Sequence, residues 1–121
     1  MSNGHLVLIM NGHYVKNLVR PLAEWGYSAI VVDHLTRAVH QAQHLPLSAA
    51  IINGNGTIDI LEFVLSIRDI DDTLPIIVVR ASIAERVENA LRGYPEVYFV
   101  TTMTDDLLSR IYTTLDRVTK Q

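Results

Sequence analysis

The sequence contains no cysteine. Disulfide bonds, thiolate nucleophiles and thiolate metal ligands are therefore excluded, and a reducing, cytoplasmic location is expected. Lysine is nearly absent too, since only Lys16 and Lys120 occur and neither lies at the end of an apolar segment. A Schiff base to a carbonyl cofactor is therefore not expected.

The chain also lacks an excess of positive charge and any long apolar segment. Its formal net charge is −3, whereas nucleic-acid-binding domains normally carry a basic face. Each apolar run is much shorter than the ~20 residues that span a bilayer, and no basic region precedes an apolar one at the start of the chain. These absences argue against nucleic-acid binding, a membrane span and a signal peptide.

What the sequence does contain is enough apolar material for a core. Hydrophobic residues make up 49% of the 121 residues, and charged residues make up 19%. A chain of this length and composition can bury a core without disulfide or metal support. We therefore expect a single domain over residues 1–121.

Five short apolar runs divide the chain. They are continuous rather than alternating, and most are rich in β-branched residues, which is typical of strands buried on both faces of a sheet. The predicted strands are His5–Met10, Ser28–Asp33, Ser48–Ile52, Leu74–Val79 and Val97–Thr101. Ile51, Ile77 and Val78 are expected to be fully buried.

Between the strands, apolar residues recur every three or four positions, as on one face of a helix. The predicted helices cover residues 14–25, 35–43, 60–67, 83–91 and 104–115. Gly26 would end the first helix, on which Leu18, Leu22 and Trp25 face the sheet, and Asp59 would cap the third. The strict alternation predicts an α/β protein with a doubly wound parallel sheet and right-handed crossovers.

In such a sheet, ligands bind where the strands end. The residues expected at this edge are mostly amides, glycines and hydroxyls: Asn11, Gly12, His13, Asn53–Gly56, Arg80–Ser82 and Thr101–Thr104. A small anion or a nucleotide could contact Arg80 and the Ser82 hydroxyl together with backbone N–H groups. Asparagine and glycine are, however, also the ordinary residues of such turns.

Two other patterns are weaker. Gly54-Asn55-Gly56 lacks the third glycine of a dinucleotide-binding loop and follows the third strand instead of the first, so Asp33 is not expected to hold a ribose. His40 and His44 share a helix face and could bind zinc, but the sequence offers no third ligand nearby. Neither a cofactor nor a metal site is predicted.

The order of the elements, with Leu74-Pro75-Ile76-Ile77-Val78-Val79 as the fourth strand, resembles the receiver domain of bacterial response regulators over the whole chain. This resemblance implies a flavodoxin-like sheet of order 2-1-3-4-5. It also implies a site in which two acids after the first strand bind Mg²⁺ and an Asp ending the third strand accepts a phosphoryl group. A Ser or Thr after the fourth strand and a Lys after the fifth would contact that group.

The chain departs from that site at every position. Asn11 and Gly12 stand where the acids are expected, and Asn53 replaces the phosphoaccepting Asp. Arg80 replaces the hydroxyl residue and Thr101 replaces the Lys. An amide is a poor nucleophile, and no anionic oxygen remains to hold a hard cation. The resemblance therefore implies a pseudo-receiver, a non-catalytic and phosphorylation-incompetent signalling module that acts through a protein partner or a homodimer.

In receivers, the face formed by the fourth helix, the fifth strand and the fifth helix commonly carries such contacts. On the matching segment of this chain, the expected interface residues are Tyr98, Leu108, Arg110 and Tyr112. Aromatic and arginine side chains are enriched at the centres of protein interfaces.

A second resemblance leads to a different function. The segment from Glu96 to Ile111 has an aromatic strand followed by a helix that opens on Thr, Asp and apolar residues. It is similar to the end of the N-terminal wing domain of bacterial ornithine, lysine and arginine decarboxylases. That wing is receiver-like, carries no catalysis and helps to build the oligomer, while pyridoxal phosphate lies in a following domain. Three alternatives therefore stay open: a contact module, a decarboxylase wing and a sensor of a small anion or nucleotide.

Overall fold

The computed structural model of the protein describes residues 5–10, 18–53, 59–80, 85–101 and 107–119. The strands are β1 (His5–Met10), β2 (Tyr27–Val32), β3 (Ala49–Asn53), β4 (Ile76–Arg80) and β5 (Val97–Thr101). The helices are α1 (Val19–Glu24), α2 (Leu35–His44), α3 (Ile60–Ile70), α4 (Glu85–Leu91) and α5 (Leu107–Thr119). Within these ranges, strands and helices alternate as the apolar periodicity predicts.

The five strands form one parallel sheet of order β2-β1-β3-β4-β5. In β1, Val7 pairs with Ala49 of β3 and with Ala29 of β2. The first strand, β1, thus lies inside the sheet, β2 forms one edge, and the chain then returns across β1 to build the other side. This order confirms the flavodoxin-like topology expected from the receiver resemblance.

Two apolar cores lie on opposite faces of the sheet because successive side chains of a strand point to opposite sides. The first core contains Leu8 and Met10 of β1 and is covered by α2, α3 and α4. The second core contains Val7 and Ile9 and is covered by α1 and α5. Strands that must serve both cores need apolar residues at every position, which explains their continuous apolar runs.

The predicted core residues are buried as expected. Ile51 and Ile77 belong to the second core and Val78 to the first, and all three are fully shielded from solvent. On the second face, Leu18 and Leu22 are buried beneath α1, and Trp25 packs half-buried at its end.

The ends of the elements reflect local chemistry. Gly26 follows α1 with a φ of 93°, a left-handed conformation that glycine adopts without strain. The Asp59 carboxylate accepts the Glu62 N–H at 3.2 Å, which confirms the predicted cap of α3. That helix continues three residues past the predicted end at Ile67, to Ile70.

Some strand boundaries differ from the prediction. β2 includes Tyr27, one residue earlier than expected, because Tyr27 already pairs with His5 of β1. β4 begins at Ile76 instead of Leu74. Leu74 is nevertheless buried in the first core, so its apolar character reflects packing and not strand pairing.

Other predicted features lie outside the described residues. They include the first turns of the predicted first helix, Ser82, and the residues from Thr104 to Asp106 that were expected to open α5. Across the part of the chain that the structure describes, no helix combines the length and apolarity needed to cross a membrane.

Candidate functional site

The sheet brings the ends of its strands to one edge, here called the carboxyl-terminal edge. Met10 of β1 is in register with Ile52 of β3, one residue before Asn53. Arg80 of β4 is in register with Thr101 of β5. The backbone positions of Asn53, Arg80 and Thr101 therefore share this edge, and the degenerate receiver site at these positions stays a prediction.

The side chains of these three residues lie outside what the structure describes, as do Asn11, Gly12 and His13. The same holds for Gly54-Asn55-Gly56 and for Ser82. The anion site at Arg80 and Ser82 therefore stays a prediction from the sequence alone. So does the chemistry of the degenerate phosphorylation site.

Residue identities nevertheless constrain that chemistry. Neither residues 11–17, which follow β1, nor residues 54–58, which follow β3, contain Asp or Glu. Two described carboxylates follow strands of this edge, Asp33 after β2 and Asp59 before α3. Asp59 caps its helix, and Asp33 follows a strand at the border of the sheet. After β1 and β3 this supply of acids is poor for a Mg²⁺ site, which needs carboxylate oxygens at one point. Asp105 and Asp106, which follow β5, lie outside the described residues.

The histidine pair on α2 is the described feature closest to a metal site. His40 and His44 are exposed, and their ring centroids are 4.4 Å apart. In the described ranges, no three His, Cys, Asp or Glu side chains come together in a way that could hold a metal ion. Two imidazoles fall short of the three or four ligands of a protein zinc site.

A groove lies between β5 and α5. It has a volume of about 350 Å³, and its lining residues are Phe99, Val100, Ser109, Arg110, Thr113, Thr114 and Arg117. β5 is the last strand of the sheet, so one wall of the groove is a sheet edge. Among the described residues that line the groove, none is acidic and two are arginines.

Tyr98 comes just before Phe99 of the groove in β5 and is half-buried against the second core. Its hydroxyl donates a hydrogen bond to the Glu96 carboxylate, and the guanidinium carbon of Arg117 lies 5.4 Å from the centre of its ring. The bond to Glu96 is the main cause that raises the pKa of Tyr98, and burial adds to it. The Arg117 cation acts in the opposite direction.

A second surface lies on the other flank of α5. The rings of Tyr112 and Trp25 are 5.0 Å apart, which joins α5 to the end of α1. Leu108 lies one turn before Tyr112 on the same side of the helix. Leu108 is 46% exposed and Tyr112 is 41% exposed. We call Trp25, Leu108 and Tyr112 the apolar strip.

The structure sets the four predicted interface residues on different sides of α5, and their role in an interface stays a prediction. Arg110 lies on the groove flank of α5, while Leu108 and Tyr112 lie on the flank that faces α1. Residues two apart on a helix point away from each other, so Arg110 cannot share a side with either neighbour. Tyr98 lies beneath Arg117, which lines the groove together with Arg110.

The sequence-based prediction missed two residues of these surfaces. Trp25 was assigned to core packing, yet it also extends the apolar strip. Arg117 lines the groove together with Arg110. The spacing of seven residues, two helical turns, between these arginines was the available signal.

Comparison with known proteins rests on structure alone. The sequence matches no protein-family profile and no curated protein sequence. A two-component response regulator from Clostridium difficile superposes with a TM-score of 0.80 at 16% identity, covering 97% of each chain. The chemotaxis protein CheY4 of Vibrio cholerae gives a TM-score of 0.79 at 17% identity, covering 94% of this chain and 98% of that one.

A structure described as an adenylate cyclase from Rhodopirellula baltica is also similar. Its TM-score is 0.81 at 13% identity, covering 96% of this chain and 87% of the other. At such identities the likeness establishes the fold and not the function. The fold is that of response-regulator receiver domains, which confirms the first resemblance at this level. The resemblance to a decarboxylase wing gains no support from these structures.

Proposed function

We propose that this chain is a pseudo-receiver, a non-catalytic and cytoplasmic regulatory module that acts through contact with a protein partner or a second copy of itself. In this proposal it accepts no phosphoryl group. Its state would then be set by binding and association rather than by phosphorylation.

Asn53 at the end of β3 is the observation that carries the proposal. It occupies the strand end at which a receiver presents its phosphoaccepting Asp, one residue beyond the pair formed by Ile52 and Met10. The amide nitrogen of Asn has no available lone pair, and its oxygen carries no net charge, so attack on phosphorus is disfavoured. The lack of acids in residues 11–17 supports the same conclusion because Mg²⁺ would have no anionic ligands there.

Incubation with Mg²⁺ and acetyl phosphate tests this proposal directly. We expect intact-protein mass spectrometry to show no phosphoryl adduct, while a receiver with a complete acid site is labelled under the same conditions. A stoichiometric adduct on this chain would overturn the proposal.

The matched variant is Asn53→Asp. We expect it to restore little labelling because the acids after β1 and the lysine after β5 would still be missing. Efficient labelling of this variant would mean that Asn53 alone blocks the reaction.

The apolar strip supports the proposal that this chain acts through contact with another protein or a second copy of itself. Leu108 and Tyr112 project from α5 and are both more than one-third exposed, although the same helix buries Ile111, Leu115 and Val118. Trp25 extends the strip onto α1. Aromatic and aliphatic side chains on neighbouring helices are suited to the centre of a protein interface. We propose that self-association uses this strip.

A further inference from the structure

We propose that His40 and His44 of α2 bind a zinc-like transition-metal ion, and that a second copy of the chain completes the site with the same two residues. The site then holds four imidazoles and lies between two α2 helices. It goes beyond the proposed function and does not depend on it, and it involves neither the groove nor the apolar strip.

The helix sets the two imidazoles side by side. Residues four apart lie one above the other on a helix face, and the ring centres of His40 and His44 are 4.4 Å apart. Two imidazoles that bind one ion at about 2.1 Å hold their ring centres roughly 4.5–5 Å apart. A small rotation of exposed side chains covers the difference. The pair can therefore chelate one ion without any change in the backbone.

The pair is directed away from the core. α2 packs against the first core through Ala38, Leu35 and Ala42, whereas His40 and His44 are both exposed. Their rings are therefore accessible both to an ion from the solvent and to a second molecule.

The end of α2 favours a bound cation. His44 is the last residue of the helix and His40 lies one turn earlier, so an ion held by both lies beside the last turn, where the helix dipole is negative. Arg37, one turn before His40, is the only Arg, Lys, Asp or Glu of α2. Its charge acts against the ion, but Arg37 is exposed, so solvent and salt screen that effect.

The donor atoms determine the kind of ion. Imidazole nitrogen suits Zn²⁺, Cu²⁺ and Ni²⁺, whereas Mg²⁺ and Ca²⁺ prefer oxygen ligands. The chain has no cysteine, so thiolate cannot compete as a ligand. Zinc is accordingly the probe for this site.

The coordination number requires a second copy. Structural zinc takes four ligands in a tetrahedron, and within the described ranges no third His, Cys, Asp or Glu joins the pair. A two-fold axis through the ion sets the pair of a second copy opposite the first, which is the usual symmetry of a homodimer. Each chain contributes two imidazoles, and the site is incomplete in the monomer.

Calorimetric titration of the full chain with zinc chloride tests the site. We expect saturation at one ion per two chains. Magnesium chloride should not bind, because hard cations prefer oxygen ligands. Failure to bind zinc would overturn the proposal. Saturation at one ion per chain would also overturn it, because each copy would then complete its own site.

Single substitutions locate the site. We expect His40→Ala and His44→Ala each to weaken zinc binding by about tenfold or more, since even residues that only orient a metal ligand contribute that much. Alanine is well tolerated on an exposed helix, so circular dichroism should not change. The control is His34→Ala, which removes an exposed imidazole just before α2 that does not cap the helix. Equal losses in the control and in the pair variants would contradict the site.

Light scattering with and without zinc tests the second copy. The measurement uses the Tyr112→Glu variant, so that association through the apolar strip does not contribute, and Leu108→Glu replaces it if that variant does not fold. We expect zinc to double the molar mass and a chelator to reverse the change. Addition of His44→Ala should abolish the doubling. A zinc-bound chain of unchanged mass, or a doubling that survives His44→Ala, would overturn the proposal.

Discussion

The guanidinium of Arg68 joins the end of α3 to the segment before β5. It donates to the Pro95 carbonyl at 2.8 Å and to the Asp71 carbonyl at 3.1 Å. Burial lowers the pKa of Arg68, against the opposing effect of Asp71 and other nearby carboxylates. Nothing in the local sequence marks this residue, because its main acceptor lies 27 positions away.

Ile77 is the residue on which the placement of β4 can be tested. It is fully buried in the second core, between Ile51 of β3 and Tyr98 of β5. Ile77→Ala should lower the free energy of unfolding by about 2–5 kcal/mol, because it removes buried methyl groups and leaves a cavity.

Chemical denaturation measures that loss. Val31→Ala on β2 is the control, because Val31 is 37% exposed and its truncation should cost much less. A loss below about 1 kcal/mol for Ile77→Ala would contradict a central, close-packed β4.

Among the elements, α5 has the most varied surroundings. One stripe of it is buried in the second core, one flank contacts Trp25 at the end of α1, and the opposite flank lines the groove beside β5. Its last turn is tied to β2, since the Thr119 hydroxyl donates to the Leu115 carbonyl and lies 3.1 Å from the Tyr27 hydroxyl. Sequence periodicity predicts the buried stripe of such a helix, but it does not predict which residues contact each flank.

Self-association through the apolar strip is a prediction about this element. Light scattering over a concentration series should detect a dimer that Tyr112→Glu weakens, because a charge placed in an apolar interface is desolvated without a partner. Circular dichroism should be unchanged, since Tyr112 is 41% exposed.

Arg110 supplies the matched comparison on the opposite flank. If Arg110 shared one interface with Tyr112, as the sequence predicts, Arg110→Glu would weaken the dimer too. The structure separates the two flanks, so we expect Arg110→Glu to leave the dimer intact. A strict monomer at high concentration would contradict self-association, and unfolding of the Tyr112→Glu variant would assign that residue to the core.

At the scale of the molecule, one sheet serves two cores. β1, β3 and β4 bury side chains on both faces. If the side chains on one face lost their packing, the same strands could no longer support the core on the other face. This arrangement supports the proposal that residues 1–121 form a single domain.

Unfolding should accordingly be a single cooperative transition. Trp25, the only tryptophan, reports on the second face by fluorescence, while far-ultraviolet circular dichroism reports on all elements. We expect the two denaturation curves to coincide, and Ile77→Ala to move both together. A fluorescence transition at a clearly lower denaturant concentration than the circular dichroism transition would show that the two faces unfold separately.

The fold could be predicted almost completely from the sequence. Continuous apolar runs located every strand to within two residues at either end, because burial on two faces leaves a strong local signal. The candidate site was only partly predictable. The ends of β3, β4 and β5 set Asn53, Arg80 and Thr101 at one edge, but their place in a degenerate phosphorylation site stays a prediction. The interface of Tyr98, Leu108, Arg110 and Tyr112 also stays a prediction, and the structure adds that Arg110 lies on one flank of α5 and Leu108 and Tyr112 on the other.

By itself, the sequence determined the order of the elements, the apolar content of each strand and the absence of acids after β1 and β3. These properties depend on residue identity and on spacing within a few positions. Only the tertiary structure decided that Trp25 meets Tyr112, that Arg68 reaches Pro95 and that Arg110 and Arg117 face the edge of β5. Such contacts join residues far apart in the chain, so they depend on where each crossover sets its helix against the sheet.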